Sequence, residues 1–305
     1  GILPVLHTPL GDDESIDRAA LCREIDWVFA LGVDGICSAM VSEVLRLTER
    51  ERGTLVEAMV EGAAGRGSVI ASVGAESTRQ AVLLARDARR AGCDAVMAVP
   101  PIATALPPPA LRDYYGRIAD SIDRPLIVQD ASGYVGQSMT VEFLAELLEA
   151  YGPEKVLFKP EASPVGPRLS ELRDRTGGRA RIFEGSGGIF LIDSFRRGIA
   201  GTMPGVDLLD GIVALWRALG AGNDDAAYRL ALPIGAIVAM EMQAGLDGFL
   251  AIEKYILVRR GIFVSDRRRT PYAWSLDQET AAEIDRLLLK LEEVLHAMAG
   301  DQGAS

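Results

Sequence analysis

Along most of the chain, short runs of apolar and often β-branched residues alternate with longer runs whose apolar positions return every three or four residues. The short runs read as buried strands and the longer ones as amphipathic helices. Eight strands are predicted, at 2–7, 35–40, 69–72, 95–99, 126–129, 156–159, 181–184 and 201–203. Helices are predicted between them near 17–30, 48–64, 78–91, 110–121, 140–150, 168–175, 190–197 and 208–219, with three more at 224–244, 248–260 and 277–299. Thr48 and Glu51 have the spacing of a capping box, and Asp17, Thr78 and Thr140 are candidate caps.

Eight strand–helix units in about 220 residues point to an α/β chain folded as a (β/α)8 TIM barrel rather than an open doubly wound sheet. An open sheet of that kind is expected to carry a glycine-rich phosphate loop after its first strand. The chain has His7-Thr8-Pro9-Leu10 there. The expected layout is a barrel over 1–220 with a helical extension over 221–305 packed on it as one structural domain. The basic, proline-broken stretch 267–271 reads as a solvated connection.

Composition narrows the function. A net charge of −11 opposes nucleic acid and anionic membrane surfaces, which need clustered Lys and Arg. No uninterrupted apolar run approaches the roughly 20 residues of a membrane span. Cys22, Cys37 and Cys93 are far apart in apolar contexts and read as buried thiols of a cytoplasmic protein. With only His7 and His296 as histidines, a multi-histidine metal site is not expected.

In this architecture the reacting groups stand at the C-terminal ends of the strands. Lys159 ends the apolar run Val156-Leu157-Phe158. An amine held among apolar walls is enriched in the free form that attacks carbonyls. The competing reading is a lysine that snorkels to solvent. Glu43, Asp130, Glu161, Glu184 and His7 also lie at or just past strand ends. Each could move protons, and each could equally cap a loop, point to the rim or be a satisfied polar residue. Glu184, between Phe183 and Gly185, ranks first among them.

Phe158-Lys159-Pro160-Glu161-Ala162-Ser163 resembles the Lys-Glu-Ala-Ser segment after the sixth strand in the dihydrodipicolinate synthase / N-acetylneuraminate lyase family. Thr8-Pro9-Leu10, Gly32-Val33-Asp34-Gly35, Ser42-Glu43 and Leu47-Thr48 with Glu51-Arg52 match further family stretches in order, over about residues 2–260. The resemblance implies a lyase in which Lys159 forms a Schiff base with a small 2-oxo acid, without metal or organic cofactor, in a homotetramer. Together with the strand-end rule, it points to a substrate pocket containing Ser42, Glu43, Gln129, Tyr134, Glu184 and Pro204.

The chain departs from the family pattern in that pocket. The family's Gly-Thr-Thr-Gly-Glu reads Ala39-Met40-Val41-Ser42-Glu43, and Ile102 and Ala103 stand where paired tyrosines are common. Gln129 replaces the proton-shuttling tyrosine and Tyr134 the carboxylate-binding arginine. An amide is no general acid or base near neutral pH. A different substrate is therefore expected. Two other readings stay open: a silent small-acid-binding homologue, and a phosphate-binding barrel enzyme using the glycines at 185–188.

Overall fold

The computed structural model describes residues 1–302. Strands β1 (Gly35–Cys37), β2 (Ser68–Ser72), β3 (Ala95–Ala98), β4 (Leu126–Asp130) and β5 (Val156–Pro160) pair in that order, all parallel. β6 (Phe183–Glu184) pairs in parallel with β7 (Gly201–Thr202). Between consecutive strands run α2 (Glu49–Ala63), α3 (Thr78–Ala91), α4 (Pro108–Asp120), α5 (Val141–Tyr151), α6 (Val165–Arg175) and the short α7 (Leu191–Arg196), while α1 (Arg18–Ala30) precedes β1.

Two junctions close the ring. Phe158 bridges to Ile182 just before β6, and the N-terminal segment lies between β7 and β1. Leu3 N donates to Thr202 O at 2.9 Å, Val5 N to Pro204 O at 2.8 Å and Leu6 N to Cys37 O at 2.9 Å. This segment is the predicted first strand. Pro4 interrupts its donors, since proline has no N–H to give a ladder. The closed parallel ring wrapped by helices is the predicted TIM barrel.

Side chains alternate across a strand, so parity decides what enters the barrel. Leu3, Val5, Cys37, Ile70, Met97, Ile127, Leu157, Phe183 and Met203 pack together inside the ring. Val156 and Phe158 belong instead to the core between the ring and its helices. Two residues beyond the inner Ile127 and Leu157 come Gln129 and Lys159, on the same inward face.

α8 (Leu209–Gly220) follows β7, and the tail beyond it comprises α9 (Asp224–Glu241), a 3-10 turn (Met242–Ala244), α10 (Gly245–Arg259) and α11 (Gln278–Gln302). Residues 224–259 are long and apolar enough to cross a membrane by composition alone. They are two helices separated by the 3-10 turn, with Leu230, Ile234, Ile237, Val238, Ile252 and Ile256 in a buried core cluster.

Three local expectations are corrected. The run 35–40 is extended only to Cys37, and Met40–Ser42 form a 3-10 turn, because Ser42 Oγ turns back to donate to Leu6 O while accepting from Ala39 N at 3.1 Å. Ser77 rather than Thr78 caps α3, accepting from Gln80 N at 3.2 Å. Cys22 is exposed, on the outer face of α1, whereas Cys37 and Cys93 are buried.

Candidate active site

At the C-terminal end of the ring a small cavity of about 40 Å³ opens over the inner layer. Lys159, Gln129 and Tyr134 all line it, as do Glu161 and Glu253. Lys159 is 3% exposed, and its Nζ donates to Glu161 Oε1 at 3.0 Å. Gln129 Nε2 donates to the other oxygen of the same carboxylate at 2.7 Å. Strand register accounts for this meeting, since Gln129 and Lys159 are direct partners across the β4–β5 ladder. Burial raises the Glu161 carboxyl above its ordinary range, against the opposing pull of Lys159 and Gln129.

Gly185 is what allows the lysine this position. A Cβ on Gly185 would fall 2.5 Å from Lys159 Cε, 2.8 Å from Nζ and 2.5 Å from Glu161 Oε1. The glycines at 187 and 188 have φ of +68° and +103° and pack against Val238 and Ile212. The run 185–188 thus serves close backbone packing around the lysine and α9.

The remaining wall is mostly apolar, from Val5, Ala39, Met40, Met203, Leu246 and Phe249. Tyr134 sets its ring edge-to-face on Phe249 at 5.4 Å. Burial, together with Glu161, Glu253, Glu184 and Glu241, pushes its hydroxyl well above the usual tyrosine range.

Four predicted pocket residues lie outside this lining. Ser42 spends its hydroxyl on Leu6 O and Ala39 N. Glu43 is buried against Lys254 Nζ and accepts from Arg269 N at 2.7 Å. Lys254 also donates to Thr8 O and Arg267 O, both at 2.8 Å. The stretch 267–271 is therefore docked rather than solvated, with Arg269 Nη2 further held by Glu51 at 2.6 Å. Glu184 and Pro204 have the wrong parity. Each follows an inward residue, Phe183 or Met203, and points out of the cavity. Glu184 accepts from Thr202 Oγ1 at 2.9 Å and Ser186 N at 2.6 Å, and Pro204 O closes the ring onto Val5 N. Asp130 caps the loop after β4, accepting from Ser132 N and Met139 N.

A group not anticipated from sequence extends below the cavity. Glu253, on α10, presents one carboxylate oxygen to His7 Nε2 at 2.6 Å. His7 Nδ1 lies 3.4 Å from Glu24 Oε1, which accepts from His7 N at 2.8 Å. Burial disfavours the imidazolium, but Glu253 and Glu24 outweigh it and push His7 up to about 10. Asp207, Glu241 and Glu253 each bring an oxygen within 4.8 Å of the others, the arrangement among the described residues that could hold a metal ion. Burial and the neighbouring Glu253 raise Asp207 to about 7, and burial and Asp207 drive Glu241 well above its ordinary range. Burial and mutual crowding favour the protonated forms of Asp207 and Glu241. The available signal was Glu253-Lys254, two charges inside the apolar run from Phe249 to Leu257.

Relatives place this chain in a family. The chain is 30% identical over 302 residues to the L-2-keto-3-deoxyarabonate dehydratase of Azospirillum brasilense, covering 97% of this chain and 95% of that protein. It is 32% identical over 178 residues to the 4-hydroxy-tetrahydrodipicolinate synthase of Bartonella quintana, a stretch of 58% of this chain and 60% of that one. The 4-hydroxy-tetrahydrodipicolinate synthase structure from Methylacidiphilum fumariolicum superposes with a TM-score of 0.87 over 98% of both chains at 22% identity, a likeness of fold. Residues 1–291 match the model of the dihydrodipicolinate synthetase family, and the chain belongs to that family.

Proposed function

We propose that this lyase of the dihydrodipicolinate synthetase family removes water from a hydroxylated 2-oxo acid through an imine on Lys159. The observation that carries the reading is the buried Lys159–Glu161 contact at 3.0 Å in the mouth of the barrel. The similarity to a dehydratase along nearly the whole chain supports elimination as the outcome.

The amine of Lys159 adds to the ketone carbon, water leaves, and a protonated imine remains. Glu161 then takes a proton from C3, and the electron pair of that C–H bond moves into the iminium to give an enamine. The enamine pair expels the C4 hydroxyl, which leaves as water with the proton returned by Glu161, and hydrolysis frees Lys159. A carboxyl raised by burial accepts and returns protons nearer neutral pH than an exposed one does. Glu161 thereby supplies the proton transfer that Gln129 cannot perform, while Gln129 orients it.

Trapping tests this. Borohydride with a reactive 2-oxo acid is expected to leave a reduced adduct on the Lys159 peptide and to inactivate the protein. A folded protein that gives no adduct across a broad 2-oxo acid panel refutes the imine. The working form is inferred to be a cytoplasmic homotetramer. Exposed Tyr228 and Leu232 on α9 supply apolar surface for assembly, and buried free Cys37 and Cys93 suit a reducing compartment.

A further inference from the structure

Apart from Lys159 and Glu161, the polar side chains lining the cavity are those of Gln129, Tyr134 and Glu253. Gln129 donates to Glu161, and its Oε1 is buried with no hydrogen-bond partner among the described residues. One oxygen of Glu253 is taken by His7. The other sits against Gly205 and beside Asp207, since a Cβ on Gly205 would come within 2.5 Å of it and 2.8 Å of Asp207 Oδ1. The cavity thus offers the unpartnered acceptor of Gln129 together with the carboxylate of Glu253. Lys159 is the only basic residue in the lining, and it is already paired.

The side chains packed around Glu253 are mostly acidic. Glu24 and Glu253 face His7 from α1 and α10. Asp207 and Glu241 stand beside Glu253. Lys254, the next residue of α10, turns away to Glu43 and to the carbonyls of Thr8 and Arg267. No cation among the described residues of the lining is left to receive a second carboxylate.

We infer that Glu253 is the specificity-determining residue of this site. Its carboxylate, with Gln129 Oε1, accepts hydrogen bonds from hydroxyls on the tail of a 2-oxo monoacid and rejects 2-oxo diacids. His7 is the positioning residue that fixes it. The inference rests on the imine reading of Lys159 and adds the chemical class of the substrate tail. A site of buried acceptors binds a donor-bearing ligand and discriminates against one that leaves them unpaired or brings like charge.

Three acids of equal carbon number separate the possibilities: 4,5-dihydroxy-2-oxopentanoate, 2-oxopentanoate and 2-oxoglutarate. Each is trapped by borohydride on EDTA-treated protein, so that no cation screens the carboxylates, and the concentration giving half-maximal labelling of Lys159 is read by mass. The dihydroxy acid is expected to label at a concentration at least about tenfold below that for 2-oxoglutarate, with 2-oxopentanoate between them. In Glu253→Gln the gap should close to about threefold or less, chiefly through better labelling by 2-oxoglutarate. Equal labelling by the dihydroxy acid and the diacid in the wild-type protein overturns the inference. So does an unchanged gap in a folded Glu253→Gln protein. The wild-type comparison decides alone if that variant does not fold. Absence of any adduct, rather than absence of preference, instead marks failure of the imine reading and removes this inference with it.

Discussion

Replacing Gly185 by alanine tests whether the position of the Lys159 amine governs the chemistry. The new methyl would sit 2.5 Å from Lys159 Cε and from Glu161 Oε1. Ordinary carbon–carbon contact begins near roughly 3.5 Å, so the lysine tip must retreat by about 1 Å. The walls around it are buried, and the shift therefore also stretches the 3.0 Å contact to Glu161. Overpacking of this size costs about 1–3 kcal/mol of stability, which leaves a folded protein. A misplacement of about 1 Å at a reacting group costs on the order of 100-fold in rate. The assay is single-turnover imine formation, quenched with borohydride at intervals and read by mass, beside a thermal melt. Gly53→Ala is the control, because nothing lies within 4 Å of a Cβ there and the residue is inside α2, where alanine stabilises by about 0.5–1 kcal/mol. An imine rate in Gly185→Ala within about threefold of wild type would show that the amine position is not limiting, and the steric argument would fail.

Glu161→Gln should leave the fold intact but lower steady-state turnover by about 10²–10⁴-fold, and activity near wild type would remove Glu161 from the proton path. His7 has a folded value near 10 against 6.5 for the free side chain, so its stabilisation is complete below about pH 6.5 and is lost as pH rises toward 10. The drop in melting temperature between pH 7 and pH 10 should accordingly be smaller in His7→Gln than in wild type, although that variant is less stable at pH 7; equal drops would contradict the charged state assigned here. Leu232, 73% exposed on α9, is expected to lie in the tetramer contact, and Leu232→Glu should lower the mass seen by light scattering, whereas a monomeric wild-type protein refutes assembly altogether. With Gln129 and Tyr134 at the positions discussed, condensation of pyruvate with aspartate semialdehyde should run about 10²–10⁴-fold below a biosynthetic synthase assayed in parallel, and comparable rates would contradict that reading.

Local pattern alone was enough for the elements and their order. Apolar runs of fixed period, the Thr48–Glu51 capping box and the caps at Asp17 and Thr140 act within a few residues, so they are legible in a linear string. The place of Lys159 at the end of an apolar run was legible for the same reason, but its inward aim was not, since Val156, Leu157 and Phe158 are all apolar. Parity also had the information that Glu184 and Pro204 face away, but only once the neighbouring inward residues were known from the closed ring. Ser42 and Glu43 could not be placed from sequence, because their partners Leu6, Lys254 and Arg269 lie 36, 211 and 226 residues away. The same holds for His7, joined to Glu253 across 246 residues, and its charged state depends on burial between two carboxylates that no local pattern encodes. Local propensity thus determined the barrel and its lysine, whereas long-range closure of the chain decided which polar groups share a cavity, because hydrogen bonds and buried charges depend on distance in space rather than along the sequence.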